Sequence, residues 1–188
     1  SYNSAMLAKD LVLEERPELQ IYIFNSRSAS VGETLITEKI QECEEKGMEF
    51  SEVVETVENY INTQNTYFVL ENLETLRKNG RLSNLKAFVA SALKIKPVMG
   101  ATPEGTIIQL DQARGMNKAL VKMVDYIAGA AEDPEQKILG ITHCNCPERA
   151  EAVKNAILEK ISVKDVILLD TAGVSSMYAN DGGVIVVL

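Results

Sequence analysis

Two arginines, a histidine beside two cysteines, and a run of small polar residues near the C-terminus are the side chains of this 188-residue chain whose types and spacing could do chemistry. His143, Cys144 and Cys146 are the donor types of a soft-metal site. A structural zinc centre wants four ligands, usually from a second paired motif, and His143 is the only histidine. The cluster therefore reads as thiols in a strand-to-helix loop, and no metal is expected. Arg114 stands between an apolar strand pattern and a helical one, where a guanidinium can replace the water lost by a buried anion. Arg81 follows Gly80 at a helix stop, where an arginine more often binds backbone carbonyls. Within 175–183, Ser176, Tyr178 and Asn180 offer hydroxyl and amide donors, while Asp181-Gly182-Gly183 also reads as a turn leading into a strand. No glycine pattern follows a strand and opens a helix in the manner of a nucleotide-binding loop. A lone histidine without a nucleophile elbow gives hydrolase catalysis little support.

Periodicity supplies the elements that must position these groups. Met6, Leu7, Leu11 and Leu13 predict a helix over 4–15, closed by Pro17. Residues 19–24 read as a buried strand with Asn25-Ser26 as its polar exit. Ser28 or Ser30 caps a helix carrying Leu35, Ile36, Ile40 and Cys43 up to Gly47, and Ser51 caps a shorter one with Val53, Val57 and Ile61. A strand over 67–70, a helix over 72–78 stopped by Asn79-Gly80, and a helix over 83–93 follow. Next comes a β-hairpin, 96–100 and 106–110, turning at Pro103-Glu104-Gly105. A helix with Arg114 near its start, carrying Met116, Leu120, Met123, Val124 and Ile127, and one over 147–160, with Pro147 in the first turn, alternate with strands over 137–142, 163–169 and 183–188. Strands alternating with helices predict an α/β fold with a large parallel component, made mixed by the hairpin. The polar stretch 62–65 divides the chain into lobes at 1–64 and 65–188.

Composition removes several function classes. A chain of this length buries a sizeable core without disulfides or a structural metal. Its net charge of -8 repels phosphate backbones and anionic headgroups, so neither nucleic acid nor a membrane surface is an expected partner. Apolar runs stay far below the roughly 20 residues of a membrane span, so no stable insertion is expected. Three cysteines with one tight pair are not a disulfide framework and fit a reducing cytoplasm.

Several segments, in order and spacing, resemble the DegV family. Ser1-Tyr2-Asn3-Ser4-Ala5 resembles the end of its Ser-Gly-Thr-Tyr-x-Ser-Ala segment, and Ile23-Phe24-Asn25-Ser26 with Ser30-Val31-Gly32 its strand-then-Asp-Ser element, with Asn25 where Asp is usual. Gly80-Arg81-Leu82-Ser83 resembles its Gly-Arg-Ile-Ser motif, and Leu93-Lys94-Ile95-Lys96-Pro97-Val98 its Leu-x-Ile-Lys-Pro-Ile segment. Gln112-Ala113-Arg114-Gly115 with Lys118-Ala119 is similar to the arginine that leaves the family's hairpin, and Ile141-Thr142-His143 to its strand ending in His. The resemblance covers essentially the whole chain.

It implies a two-lobed α/β fold. Residues 1–64 would be the C-terminal part of an incomplete, Rossmann-like parallel-sheet lobe that another α/β segment before Ser1 completes. Residues 65–188 would form the second lobe, with a mixed sheet including the hairpin. It further implies a fatty-acid-binding protein of phospholipid metabolism, with a long-chain fatty acid between the lobes as its ligand and no cofactor. A separate fatty acid kinase would be its partner and would make acyl-phosphate on the bound lipid. Arg114 aligns with the family arginine that helps hold the carboxylate. The family's carboxylate-binding His, followed there by Gly-Pro-Gly, falls on Ala179, so Ser176, Tyr178 and Asn180 are the groups left to donate, with Ser1 and Arg81 as further contacts. A non-catalytic carrier is the reading taken. An enzyme acting on a small acidic or phosphorylated metabolite is the alternative, though no clustered acid/base pair favours it, and a plain interaction module comes third.

Overall fold

In the described part of the computed structural model, residues 1–82 and 94–188, short β-branched runs assemble one six-stranded sheet. Its strands are β1 (Thr66–Val69), β2 (Ile95–Ala101), β3 (Ile107–Arg114), β4 (Ile138–His143), β5 (Asp165–Asp170) and β6 (Val184–Val187), in the order β3-β2-β1-β6-β4-β5. Helices α1 (Tyr2–Glu15), α2 (Val31–Glu45), α3 (Phe50–Asn62), α4 (Glu74–Lys78), α5 (Met116–Ala130), α6 (Pro147–Leu158) and α7 (Gly173–Ala179) flank it. The helix predicted over 83–93 lies outside the described residues.

Strand alternation sorts the side chains into two buried faces. Tyr67, Val69, Val98, Ile141, Val184 and Val186 point to one side, where α5 and α6 cover them with residues such as Met123, Ile127 and Ile157. Phe68, Leu70 and Met99 point to the other, against Leu73, Leu76 and Ala179 from α4, its approach and α7. On that second side α2 also lays Val31 and Leu35 over Val187, beside Ile138. The mixed α/β sheet and its hairpin match the sequence expectation, and the hairpin runs longer than predicted, to Ile95 and Arg114.

Three expectations need correction. First, only β4 and β5 run parallel; the other four pairings are antiparallel, because β6 returns between β1 and β4. Second, residues 19–24 are extended but not a strand, since no described strand lies beside them to take up their N–H and C=O groups, and Tyr22 is exposed. Third, the predicted caps do not cap: Ser30 precedes α2 but turns its hydroxyl to Thr142 Oγ1 at 3.0 Å, and α3 starts ahead of Ser51, with the Glu49 N–H donating to the Glu52 carboxylate at 3.0 Å. The polar segment before the last strand folds largely as helix α7, with the turn read at Asp181-Gly182-Gly183 following it. Helix α1 forms as predicted and has no buried residue. Among the described residues no helix is long and apolar enough to cross a membrane.

Candidate functional site

Register brings the sequence-selected groups to one end of the sheet. Arg114 closes β3 opposite Ile95, while Lys96 pairs with Ala113 one step inside. Across the sheet, Val69 ends β1 opposite Val184, His143 ends β4 opposite the same valine, and Asp170 ends β5 opposite His143. Helix α7 and the turn 180–183 sit at this end because they link β5 to β6.

Ala113 packs on the α5 side, so alternation sends Arg114 to the other face, the one that α4 and α7 share. Its side chain is exposed and makes no hydrogen bond or ion pair among the described residues. Ser176, Tyr178 and Asn180 occupy the last turn of α7 and its exit. The Ser176 hydroxyl lies 2.9 Å from Thr171 Oγ1, Tyr178 packs partly buried against the Phe68–Met99 cluster, and the Asn180 amide donates to the Tyr178 carbonyl at 3.0 Å. Arg114 and this segment thus share one end and one face without touching. β3 and β6 stand three strand intervals apart, about 14 Å at ordinary spacing. Ala179, which holds the position of the family's His, is buried and carries no donor on its side chain.

The other sequence-selected residues go elsewhere. Arg81 completes the stop of α4: its N–H donates to the Leu76 carbonyl at 2.9 Å and the Gly80 N–H to that of Arg77 at 3.1 Å, a Schellman pattern. Its side chain is exposed, so its visible role is in the backbone. Ser1 precedes α1 with its side chain exposed and forms no cap. His143 is buried, and its Nδ1 accepts the Cys146 N–H at 3.3 Å. Cys144 packs with the Ala179 cluster and Cys146 with the α5–α6 cluster, so the two thiols point to opposite faces and cannot chelate one ion. Burial pushes the Cys146 thiol up, away from a reactive thiolate. No metal-holding group of three or more His, Cys, Asp or Glu exists among the described residues.

Sequence reading missed a charged cluster at the same end. Lys96 Nζ donates to a Glu71 carboxylate oxygen at 2.6 Å, and Arg149 Nη1 to the other at 3.1 Å. Arg149 also donates to the Gly182 carbonyl. Burial raises the Glu71 carboxyl, but the hydrogen bonds and charges of Lys96 and Arg149 outweigh it and hold the group below its ordinary value. Lys96 interrupts the apolar run Ile95–Met99, which marks it as a charge needing a partner; nothing local says which.

A cavity of about 440 Å³ lies at the opposite end of the sheet, beside Lys137, Ile138 and Lys164. Its wall mixes Glu38, Glu42, Glu45, Asp133 and Lys39 with Leu35, Tyr60 and Ile138, and none of the residues of the site above lines it.

A family model described as uncharacterised protein, DegV family, matches residues 1–188. A DegV domain-containing protein of Streptococcus gordonii is 33% identical over 185 residues, which are 98% of this chain and 65% of that protein. The chain therefore spans about two-thirds of the length of its curated relatives. Among solved structures, a DegV family protein from Ruminococcus gnavus, refined with vaccenic acid, is 60% identical with a TM-score of 0.96, over 100% of this chain and 67% of that one. The fatty acid kinase (Fak) B3 protein of Streptococcus pneumoniae, loaded with linoleic acid, is 33% identical with a TM-score of 0.88, over 100% and 66%. A DegV family protein from Eubacterium eligens loaded with heptadecanoic acid is 30% identical, also with a TM-score of 0.88, over 99% and 67%.

Proposed function

The chain belongs to the DegV family, and from that premise we propose that it is a non-catalytic fatty-acid carrier which presents the lipid carboxylate to a separate kinase. The observation that carries this reading is the match over the whole chain to three relatives, each with a fatty acid bound. Local chemistry supports it. A fatty acid needs an apolar bed and a polar end, and the end of the sheet offers both. Phe68, Leu73, Leu76 and Met99 form an apolar face beneath α7. Val174 and Met177, on one side of that helix, are exposed as an apolar rim beside its hydroxyl and amide groups.

In this reading Arg114 supplies the charge that meets the carboxylate, and Ser176, Tyr178 and Asn180 supply neutral donors from across the gap. A carboxylate has about four lone-pair directions to satisfy, more than one guanidinium fills. Burial of ten or more methylenes at about 0.8 kcal/mol each supplies roughly 8 kcal/mol before the costs of association. The lobe boundary is proposed at 64/65, with α2 of the first range docked directly on the sheet of 65–188 and the lipid held between the lobes. Ser1 and Arg81 are peripheral contacts. The protein acts in the cytoplasm, with the kinase as its macromolecular partner. Denaturing extraction of the natural protein followed by mass spectrometry should release one long-chain fatty acid per molecule. Finding no stoichiometric lipid, together with failure to bind added oleate or palmitate, refutes the carrier reading.

A further inference from the structure

We infer that Glu71 is a positioning residue for this carboxylate site, clamping its two halves at a fixed separation through Lys96 and Arg149. The inference rests on the reading of Arg114 and the α7 segment as the headgroup site. It starts from Pro97, which has no N–H to give to a ladder. β1 pairs with β2 only at Tyr67–Gly100 and Phe68–Met99, so main-chain pairing between them stops short of the sheet end. There a side chain takes over: Lys96 crosses to the Glu71 carboxylate at 2.6 Å and also to the Glu71 carbonyl. Lys96 is paired with Ala113, the neighbour of Arg114, so the position of the Arg114 backbone relative to β1 is set through this contact.

From Glu71 the clamp continues to α7. Arg149, on α6, reaches the second Glu71 oxygen at 3.1 Å and the Gly182 carbonyl with the same nitrogen. Gly182 lies in the turn that leaves α7, with φ +84, and a Cβ there would stand 2.7 Å from Arg149 Nη1. The turn is further tied by the Gly182 N–H to the Cys144 carbonyl at 2.8 Å and by the Gly183 N–H to the Asn180 carbonyl at 3.1 Å. Asn180, one of the donors, is thus held two residues from the Arg149 contact. One carboxylate joins β2, the strand paired with the one that carries the charged half of the site, to the turn that carries the neutral half. All three clamp side chains are partly buried, which limits water's ability to substitute for any of them. None of the three points to the face of Arg114, so the clamp acts on the ligand through the groups it holds.

The test uses the natural full-length protein and oleate labelled with ¹³C at the carboxyl carbon. In Glu71→Gln the affinity should fall by about tenfold or more, and the carboxyl resonance of bound oleate should leave its wild-type position. In an Arg114→Ala background the same change should cost no more than about twofold, because there is no longer a charged half to position. Arg149→Met keeps the apolar stem but removes the nitrogen that joins Glu71 to Gly182, and decides the matter if Glu71→Gln does not fold. It should shift the resonance in the same direction. A resonance unchanged in the folded variants, or a full loss of affinity persisting without Arg114, overturns the clamp while leaving the carrier reading intact. A wild-type protein that takes up no oleate overturns both.

Discussion

Replacing Arg114 with alanine separates binding from folding more cleanly than any other single change. The side chain ends β3, is exposed, and makes no hydrogen bond or ion pair among the described residues, so its removal deletes no polar contact of the described fold. Its neighbour Ala113 carries the packing against α5, and the Gly115 N–H to Lys94 carbonyl bond at 2.7 Å that fixes the strand end is main-chain. Thermal stability should therefore change within the ordinary scatter of surface substitutions, about 0.5 kcal/mol. Binding should respond strongly, because a charge-assisted hydrogen bond to a desolvated carboxylate is worth about 1.5–3 kcal/mol, a loss of roughly 10- to 150-fold in affinity. The assay is titration of the natural protein with oleate, paired with a melting curve on the same preparation. Arg77→Ala is the control: its guanidinium pairs with Glu74 at 2.9 Å on the exposed side of α4, away from the site, and should leave affinity unchanged. Equal affinities for the two variants, or an Arg114→Ala loss that tracks a fall in Tm, would show that Arg114 does not meet the carboxylate.

Two further changes probe the scaffold, one beside the site and one far from it. Gly183→Ala should destabilise the protein by about 1–3 kcal/mol, with a Tm lowered by several degrees, since the added Cβ would lie 2.4 Å from the Ala179 carbonyl oxygen, a backbone atom that cannot swing aside; an unchanged melting curve would mean that α7 and its turn shift freely. Far from the site, Lys46 and Lys39 pull the Glu42 carboxyl down to about 2 from its ordinary 4.5. A carboxyl depressed on folding contributes stability above its unfolded value and loses it as pH falls through the folded one. The Tm difference between wild type and Glu42→Gln should thus be full above about 4.5, shrink on acidification and vanish near 2; a difference independent of pH would show that the lysines do not hold the carboxylate in solution.

How much of this could be read from the chain follows from the range of each interaction. Helix α5 is legible because Leu120, Met123, Val124 and Ile127 repeat at the helical period and bury together against the sheet. The hairpin is legible because Pro103-Glu104-Gly105 is a local turn signal between two apolar runs. Residues 19–24 have the composition of a strand, but a strand is a relation between two segments, and composition cannot say whether a partner stands alongside. The direction of β6 was hidden for the same reason: Val184, Ile185, Val186 and Val187 suit either orientation, and only their pairing with Phe68 and Ile141 makes the sheet largely antiparallel.

The site divides along the same line. Arg114 announces itself, since a guanidinium between a strand and a helix is a local event. Glu71 does not, because its partners stand 25 and 78 residues away and enter only once β2 lies beside β1 and α6 crosses the sheet end. Partly buried ion pairs add little net stability over apolar packing, so the convergence of three such side chains at this end points to a role in geometry. Lys96 makes this case most directly. A plain strand filler there would pack with Val98 and leave β2 free to part from β1 beyond Met99; a lysine fixes the parting at one carboxylate. An ammonium 2.6 Å from its partner tolerates far less drift than an apolar contact does, and the residue paired beside it is the one that precedes Arg114.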